Sequence, residues 1–501
     1  MSNMIIMEKE KNMKGFIDIA KRRGFFWQSS EIYGGISGMF DYGTLGLLLK
    51  RKLINKWRNF FVKQEENIYE VETSLIQPEK VFEASGHLSS FIDPITQCKK
   101  CNSIFRADNL IEETTKEFVE GKKPEEMTRI IREKNIKCTK CKGELSDVKI
   151  FNLMLKTFLS PTGEEIAYLR PETAQGIFVN FKNIMVATRA KLPFGVAQLG
   201  TSFRNEISPR QFIIRLRAFN QLEIEWFVDP NEINNHPKFK DVEDVKIGIL
   251  TREAQKKNEK EIVLTVKEAV EKGIVPNQHM AYYLAKEIQF YQSIGLPFEA
   301  LRFRHMLPEE TPHYSKGNFD LEIRFDFGWK EVVGNAYRTD HDLKSHIEKS
   351  KVDLSIALDD GSKVIPHVIE PSFGIERAIY GILLYCYKND VERGWEWFAF
   401  PPDLAPYTVG IFPLVNKDGL QEKAEEVFKM LKRYFDVFYD DRGSIGKRYA
   451  RTDEIGTPFC VTIDYDTKEN DTVTLRYRDT TKQDRVKIED LVKIIRQLVR
   501  P

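Results

Sequence analysis

Between residues 44 and 61 the apolar residues Leu45, Leu48, Leu49, Leu53, Trp57, Phe60 and Phe61 recur at three- and four-residue spacing, which predicts an amphipathic helix with Thr44 placed to cap its start. "NIYEVETSLIQP" then alternates and halts at Pro78, as a strand does where its ladder loses a donor. From 147 to 227 the pattern turns to strands, and from 229 to 310 it becomes polar and helical, which predicts a helical insertion. "NFDLEIRFDF" alternates again, with Leu321, Ile323, Phe325 and Phe327 on one face and Glu322, Arg324 and Asp326 on the other. The proline-bearing "FAFPPDLAP" at 398–406 predicts a linker. Beyond it, about 95 residues alternate strand and helix patterns as a small α/β domain does.

"TSFRNEISPR", residues 201–210, sets Arg204 and Glu206 at a strand end before a polar hairpin tip, and "FNQLEIEWF", 219–227, is the return strand. Its period of two puts Leu222, Ile224 and Trp226 on one face and Phe219, Gln221, Glu223 and Glu225 on the other. In isolation such a strand reads as half-exposed, with solvated carboxylates. Here Arg204, Arg210, Arg215 and Arg217 cluster around the loop and Phe219 follows it, so guanidinium forks for phosphate stand near an aromatic platform for a base. Neither G-x-x-x-x-G-K-[ST] nor G-x-G-x-x-G occurs in the chain, so a nucleotide would be held by side chains.

Composition narrows the field. A chain of 501 residues with 42% apolar and 12% aromatic content supports two or three packed domains and excludes a disordered protein. A net charge of +1 excludes a globally basic wrap around nucleic acid. No run of 18 apolar residues appears, and "MSNMIIMEKEKNMKG" is too short in its apolar stretch and too acidic beside it for a signal peptide, so the expectation is a cytoplasmic protein with no membrane partner. Of six cysteines, Cys386 and Cys460 sit alone in apolar surroundings, whereas Cys98/Cys101 and Cys138/Cys141 form two C-x-x-C pairs separated by 36 residues. In a large cytosolic chain that arrangement favours metal over disulfides, and two facing knuckles would give four thiolates to a structural Zn²⁺; the alternative is reduced thiols in a degenerate ribbon, since the spacer exceeds the usual length of about 15 to 20 residues. The charged spacer from about Asn109 to Lys137 reads as helical, making 98–141 a zinc-ribbon-like insertion. In "GIERAIYGILLYC" the core stripe is Ile375, Ile379, Ile382, Leu383 and Cys386, which leaves Arg377 free to point into a cleft.

These residues carry a resemblance. "FRNE" at 203–206 resembles the second signature motif of class II aminoacyl-tRNA synthetases, "EPSFGIERAIYGIL" at 370–383 resembles the third with Arg377 as its arginine, and the helix and strand ending at Pro78 resemble the first. Within that class "FDYGTLG", "FRADNLIEE", "LRPETAQGIF", "FRNEISPR", "GWKEVVGNAYRTDHDL", "EPSFGIER" and "DDRGSIGKRYARTDEIGTPFCVTID" are similar to glycyl-tRNA synthetases of the homodimeric type, from residue 40 to 464. The stretch 229–310 matches least, and Thr44, Ala218 and Glu376 stand where the family usually has proline, an acidic residue and aspartate. The resemblance implies an α+β fold: an antiparallel β-sheet catalytic core flanked by helices over residues 1–400, with both insertions, and an anticodon-binding domain over 401–501.

It also implies ATP-dependent ligation of glycine to the 3′ end of tRNA(Gly) through a glycyl-adenylate. That reaction needs positioning and charge neutralisation and no side-chain nucleophile. By resemblance ATP is held by Arg204, Asn205, Glu206, Ile214, Arg215, Leu216, Phe219, Glu331, Val332, Gly374 and Arg377, with Arg204, Glu206 and Arg377 catalytic. Arg204 would bridge the α-phosphate and the amino-acid carboxylate, Arg377 would hold the γ-phosphate, and Phe219 would stack on adenine; Glu206 and Glu331 would contact the base, the ribose or Mg²⁺. Glycine would be held by Arg106, Glu172, Phe219, Gln221, Glu223, Glu370, Ser372 and Gly374, three carboxylates facing one ammonium and alanine being refused by size. His313 reads as a structural or tRNA-end contact. Arg442, Lys447, Arg448 and Arg451 beside Tyr449 have the mix of charge and stacking surface that single-stranded RNA loops need. A homodimer is implied as well. Two alternatives stand beside this one: a non-catalytic nucleic-acid-binding accessory protein, which would have lost Arg204, Glu206 and Arg377, and a sister synthetase for proline, threonine, serine or histidine, against which Glu172 with "TAQGIF" and the "EPS" triplet point to glycine.

Overall fold

The computed structural model describes residues 15–499 except 116, 118, 120, 208, 210, 211, 312–314, 391 and 392. Nine strands build the main sheet: β1 (Ile68–Val71), β2 (Phe194–Phe203), β3 (Ala218–Val228), β4 (Lys246–Leu250), β5 (Ile262–Thr265), β6 (Leu301–His305), β7 (Asn318–Phe325), β8 (Gly328–Thr339) and β9 (His367–Gly374). Their spatial order is β5-β4-β6-β7-β8-β9-β3-β2-β1. Only β1–β2 and β4–β6 are parallel pairs; the other neighbours are antiparallel. Six helices matter for the site: α1 (Thr44–Trp57), α2 (Ala174–Thr188), α3 (Gln278–Ser293), α4 (His341–Ser350), α5 (Ile375–Cys386) and α6 (Ile445–Glu454).

The two faces of the sheet have different fates. Leu222, Ile224 and Trp226 of β3 share one core with Leu49, Leu53 and Trp57 of α1, Met280, Leu284 and Ile288 of α3, and Ile379, Ile382 and Leu383 of α5. Each such side chain contributes about 1.5 to 3 kcal/mol by leaving water. On the opposite face α2 covers one half, where Phe178 and Phe181 pack on Phe194 and Phe227. The other half, carrying Gln221, lies under the loop joining β2 to β3. That sets the site at the boundary between a covered and an uncovered half of one sheet face.

Several elements differ from the sequence pattern. Gly43, not Thr44, is the residue that precedes α1, and no side chain caps it. The stretch ending at Pro78 splits into β1 and a short strand Ile76–Pro78 that pairs with Ile166–Leu169 in another sheet. Within 147–227 the pattern missed α2, because its Ile177, Phe178, Val179, Phe181 and Ile184 are strand-favouring residues that tertiary packing holds in a helix. The stretch 229–310 is not wholly helical: β4, β5 and β6 lie within it and extend the main sheet, short apolar runs that periodicity alone cannot separate from helix. The spacer 109–137 does hold helices, Ala107–Thr115 and Pro124–Glu133.

The C-terminal residues form a second sheet of β10 (Val409–Pro413), β11 (Val437–Tyr439), β12 (Phe459–Ile463), β13 (Thr472–Tyr477) and β14 (Gln483–Lys487), in the order β11-β10-β12-β13-β14. It has its own core of Val409, Ile411, Val461, Leu475 and Ile495. The stretch 398–406 is packed and is no free spacer: Phe398, Phe400, Leu404 and Ala405 belong to the first core, and buried Arg478 donates to the Phe400 and Gly456 carbonyls, each at 2.7 Å.

Candidate active site

The β2–β3 hairpin runs in register from Phe194 opposite Phe227 to Phe203 opposite Ala218, so Arg204 and Arg217 meet at its mouth, where the Arg204 N–H donates to the Arg217 carbonyl at 2.9 Å. The Arg204 guanidinium sits between two rings, 5.3 Å from Phe91 and 5.1 Å from Phe219, and its Nε donates to the Pro171 carbonyl at 3.1 Å. Buried Glu206 pairs with Arg215 Nε at 2.8 Å. Arg377, in the first turn of α5, donates from Nε to the Ile214 carbonyl at 3.2 Å and from Nη1 to the Glu331 carbonyl at 2.9 Å, and pairs with the Glu331 carboxylate at 3.2 Å. One arginine thus ties the hairpin loop to β8.

The cleft these elements enclose is lined by Arg204, Glu206, Ile213, Ile214, Arg215, Leu216, Phe219, Gln221, Glu331, Ser372, Gly374, Glu376 and Arg377. Three guanidinium forks around one recess, with an aromatic face between them, suit an oligophosphate carrying a base. Asn205 and Val332 do not line it: the Asn205 N–H is bonded to the Leu153 carbonyl at 2.8 Å, and the Val332 side chain lies in the core. Arg217 serves the loop itself, donating to the Glu206 and Ser37 carbonyls. Glu376 anchors the cleft floor by accepting from Tyr42 Oη at 2.6 Å and from the Asn220 N–H at 2.9 Å.

Gln221, Ser372 and Gly374 lead from this cleft to a second, more acidic place. Glu223 is buried, and its carboxylate accepts from the Thr173 N–H at 3.0 Å, the Thr173 hydroxyl, Gln221 Nε2 at 2.7 Å and Ser372 Oγ at 2.6 Å. Glu172 accepts from Gln175 Nε2 at 3.0 Å and faces His87 at 3.4 Å and Arg338 at 3.7 Å. Glu370 accepts from Arg338 Nη1 at 2.8 Å, while the same guanidinium grips Asp342 at 2.7 and 2.8 Å. Burial works to raise all three glutamate carboxyls. At Glu172 the His87 ring, Arg338 and the Gln175 amide outweigh it and hold the group below the ordinary range. Glu223 stays raised by burial and by Glu172. Burial carries Glu370 up to about 7, Arg338 opposing the rise and Glu223 and Glu172 adding to it. These carboxylates stand ready for a cation.

The four paired cysteines converge. Their Sγ atoms all lie within 4.8 Å of one another, with Cys98–Cys141 at 3.4 Å and Cys101–Cys138 at 3.6 Å. A tetrahedron with Zn–S bonds of about 2.3 Å has edges of about 3.8 Å, so the donor set fits a closed Zn²⁺ site. The N–H groups of Lys100 and Cys101 point at Cys98 Sγ at 3.4 and 3.5 Å, which favours a thiolate there. Cys386 and Cys460 are buried and apart from this cluster.

Comparison with known proteins decides the family. The tRNA synthetase class II core domain (G, H, P, S and T) matches residues 157–384, and the anticodon binding domain matches 408–498. The chain is 44% identical to "Glycine--tRNA ligase" of Pyrococcus furiosus over 96% of this chain and 98% of that protein, and 42% identical to the protein of the same description from Methanocaldococcus jannaschii over 98% and 99%. The chain belongs to the glycine–tRNA ligase family. Its fold is also that of a prolyl-tRNA synthetase from Cryptosporidium parvum, solved with halofuginone and AMPPNP, at a TM-score of 0.57 and 14% identity over 97% of this chain and 74% of that one.

Within this family member the structure gives several of the expected residues specific partners. Arg106 pairs with Asp93 at 3.2 Å and with Asp108, the carboxylate that the "FRAD" motif supplies two residues on. Arg448 is buried and donates to the Pro413, Asp441 and Gly443 carbonyls, and Arg451 pairs with Asp440, so both shape their loop and only Arg442 and Lys447 of that set are exposed. Arg210 and His313 lie outside the described residues. Sequence reasoning missed Arg338, Asp342, His87 and Arg170. Arg170, 1% exposed, bonds the Thr201 and Thr73 carbonyls at 2.9 and 3.0 Å, and only glycine fits at 200, where a Cβ would sit 1.9 Å from its Nη2. Arg338 and Asp342, four residues apart across a strand end and a helix start, were the available signal.

Proposed function

We propose that this protein ligates glycine to the 3′ end of tRNA(Gly), forming glycyl-adenylate from glycine and ATP and passing the glycyl group to the terminal ribose. The observation that carries this reading is the adjacency of two unlike groups: a cleft with three guanidinium groups is lined by Gln221 and Ser372, which donate to Glu223 in a cluster of buried Glu223 and Glu370 and part-buried Glu172. A triphosphate belongs in the first and an ammonium in the second, which leaves the amino-acid carboxylate facing the α-phosphate between them.

Arg204, held between Phe91 and Phe219, takes both the carboxylate and the α-phosphate, so the charge that develops in the in-line attack meets a fixed donor. Arg377 takes the far phosphates, and Phe219 with Arg215 takes the base. Glu331, about half exposed beside Arg377, is the residue fitted to hold Mg²⁺ with phosphate oxygens, and the ion would neutralise phosphate charge there. The glycine ammonium is received by the three glutamates, and a larger side chain than glycine's would be refused by size. Structural Zn²⁺ at Cys98, Cys101, Cys138 and Cys141 would hold the 98–141 segment closed. Residues 1–400 act as the catalytic domain and 401–501 read the anticodon of tRNA(Gly), with Arg442 and Lys447 exposed for phosphate; the active form is a cytoplasmic homodimer. Among the described residues no helix is long and apolar enough to cross a membrane. Amino-acid-dependent ATP–pyrophosphate exchange over a panel tests the reading: glycine alone should support exchange, and exchange driven by proline, serine or alanine would overturn it.

A further inference from the structure

Glu225 lies one step further along the same face of β3 than Glu223, opposite Val196 of β2, and is fully buried with both carboxylate oxygens unpartnered. Glu223, Glu225 and Glu370 each offer an oxygen, all within 4.8 Å of one another. An ionised carboxylate buried with no hydrogen bond is strongly disfavoured, and a second one beside it compounds the cost. The groups that face it are Glu223 on its own strand, Glu370 on β9, Arg338 on β8 and Asp342 on α4. Arg338 donates to Asp342 and Glu370, and its opposing charge does not offset burial and the neighbouring carboxylates at Glu225. Glu223 already accepts four hydrogen bonds, whereas Glu370 accepts from Arg338 on one oxygen.

We propose that Glu225 is held as the neutral acid and donates its proton in a hydrogen bond to Glu370, which makes it a positioning residue of the glycine pocket. The inference rests on the reading of that pocket given above. Glu370 is then fixed from two sides, by Arg338 on one oxygen and by Glu225 on the other, and its carboxylate keeps one orientation toward the substrate ammonium. One carboxyl charge is also removed from a recess that already holds Glu172, Glu223, Glu370 and Asp342. Burial first, and repulsion from Glu370 second, push the Glu225 carboxyl well above the usual range, in keeping with this assignment.

Three variants separate the roles, measured by glycine-dependent pyrophosphate exchange across pH. Glu225→Gln supplies an N–H donor of the same shape and should keep the glycine KM and kcat within about twofold of the parent. Glu225→Met keeps the volume and loses the donor; its glycine KM should rise about tenfold with the ATP KM unchanged, and its pH profile should move to higher pH because Glu370 ionises less readily. Glu370→Gln should raise the glycine KM at least as much and abolish the pH dependence. Infrared difference spectra of parent against Glu225→Gln should lose one protonated carboxylic-acid carbonyl band. The proposal is overturned if Glu225→Gln raises the glycine KM as Glu370→Gln does, if Glu225→Met leaves both KM and profile unchanged, or if the band is absent. Should Glu225→Met fail to fold, Glu225→Gln and the infrared band decide. A parent protein that exchanges pyrophosphate with some other amino acid would refute the glycine reading, while the band would still report on the Glu225 proton.

Discussion

Arg204 and Arg377 both line the cleft: Arg204 also donates to the Pro171 carbonyl, and Arg377 to the Ile214 and Glu331 carbonyls beside its pair with the Glu331 carboxylate. Removing either should therefore cost activity far more than stability. Arg204→Ala and Arg377→Ala are expected to lower glycyl-adenylate formation by about 100-fold or more, the loss found when one preorganised donor to developing charge is deleted, with a melting temperature close to the parent's. Pyrophosphate exchange and a thermal melt check both halves, and a variant exchanging at the parent rate would remove that arginine from the phosphate site. Glu370 gives a second expectation at this scale. Its carboxyl is raised to about 7, and only the ionised form attracts an ammonium, so the glycine KM should fall as pH rises through 7 and then level off. A glycine KM that is flat or rises over that range would count against the carboxylate's role.

At the scale of elements, the β2–β3 hairpin and α5 form the cleft, but the 98–141 segment closes a neighbouring recess. Arg106 and Thr139 from that segment line it together with Glu206 and Arg215 from the hairpin loop. Thr139 sits inside the second C-x-x-C knuckle, so the segment that carries the four sulfurs and the Glu206–Arg215 pair share one wall. Elemental analysis of the purified protein should find one Zn²⁺ per chain, and Cys138→Ser should lose it. The same variant is expected to raise the ATP KM severalfold while leaving the glycine KM within about twofold, because the acidic pocket lies on the other side of the hairpin. A metal-free parent protein would end the zinc assignment; an unchanged ATP KM would uncouple the two sites.

At the scale of the whole molecule, α6 joins the two cores. Asp453, fully buried at its end, accepts from Arg476 at 2.8 and 2.9 Å within the C-terminal unit and from Arg393 at 3.4 Å in the segment that leads out of the first core. The next residue, Glu454, pairs with Arg22 and Arg23, whose helix carries Phe16 against Tyr380 of α5. Asp453→Asn leaves the Arg476 guanidinium buried with a weakened partner, and a broken buried pair of this kind costs about 3 to 5 kcal/mol. Denaturant unfolding should show the C-terminal unit melting before the catalytic one, with pyrophosphate exchange retained and tRNA charging lost. A single transition at the parent midpoint would show that the ion pair contributes nothing to the joint.

What the sequence determined by itself is local. Alternation placed Glu223 and Glu225 on one face and Leu222 and Ile224 on the other, helical spacing left Arg377 off the core stripe, and the two C-x-x-C pairs named the four sulfurs that converge. These signals survive in a linear reading because the strand and helix periods are properties of the backbone. What covers a face, and which charge answers which, depends on residues far away in the chain, and only the tertiary structure decided it. The carboxylates of β3 look like those of a solvated strand until α2 covers part of the face and Thr173, Ser372 and Arg338 arrive from three other segments. Arg106 and Arg448 look free until Asp93, Asp108 and the loop carbonyls claim them. A charged side chain carries no local mark of its partner, since that partner is selected by burial, and burial belongs to the folded whole.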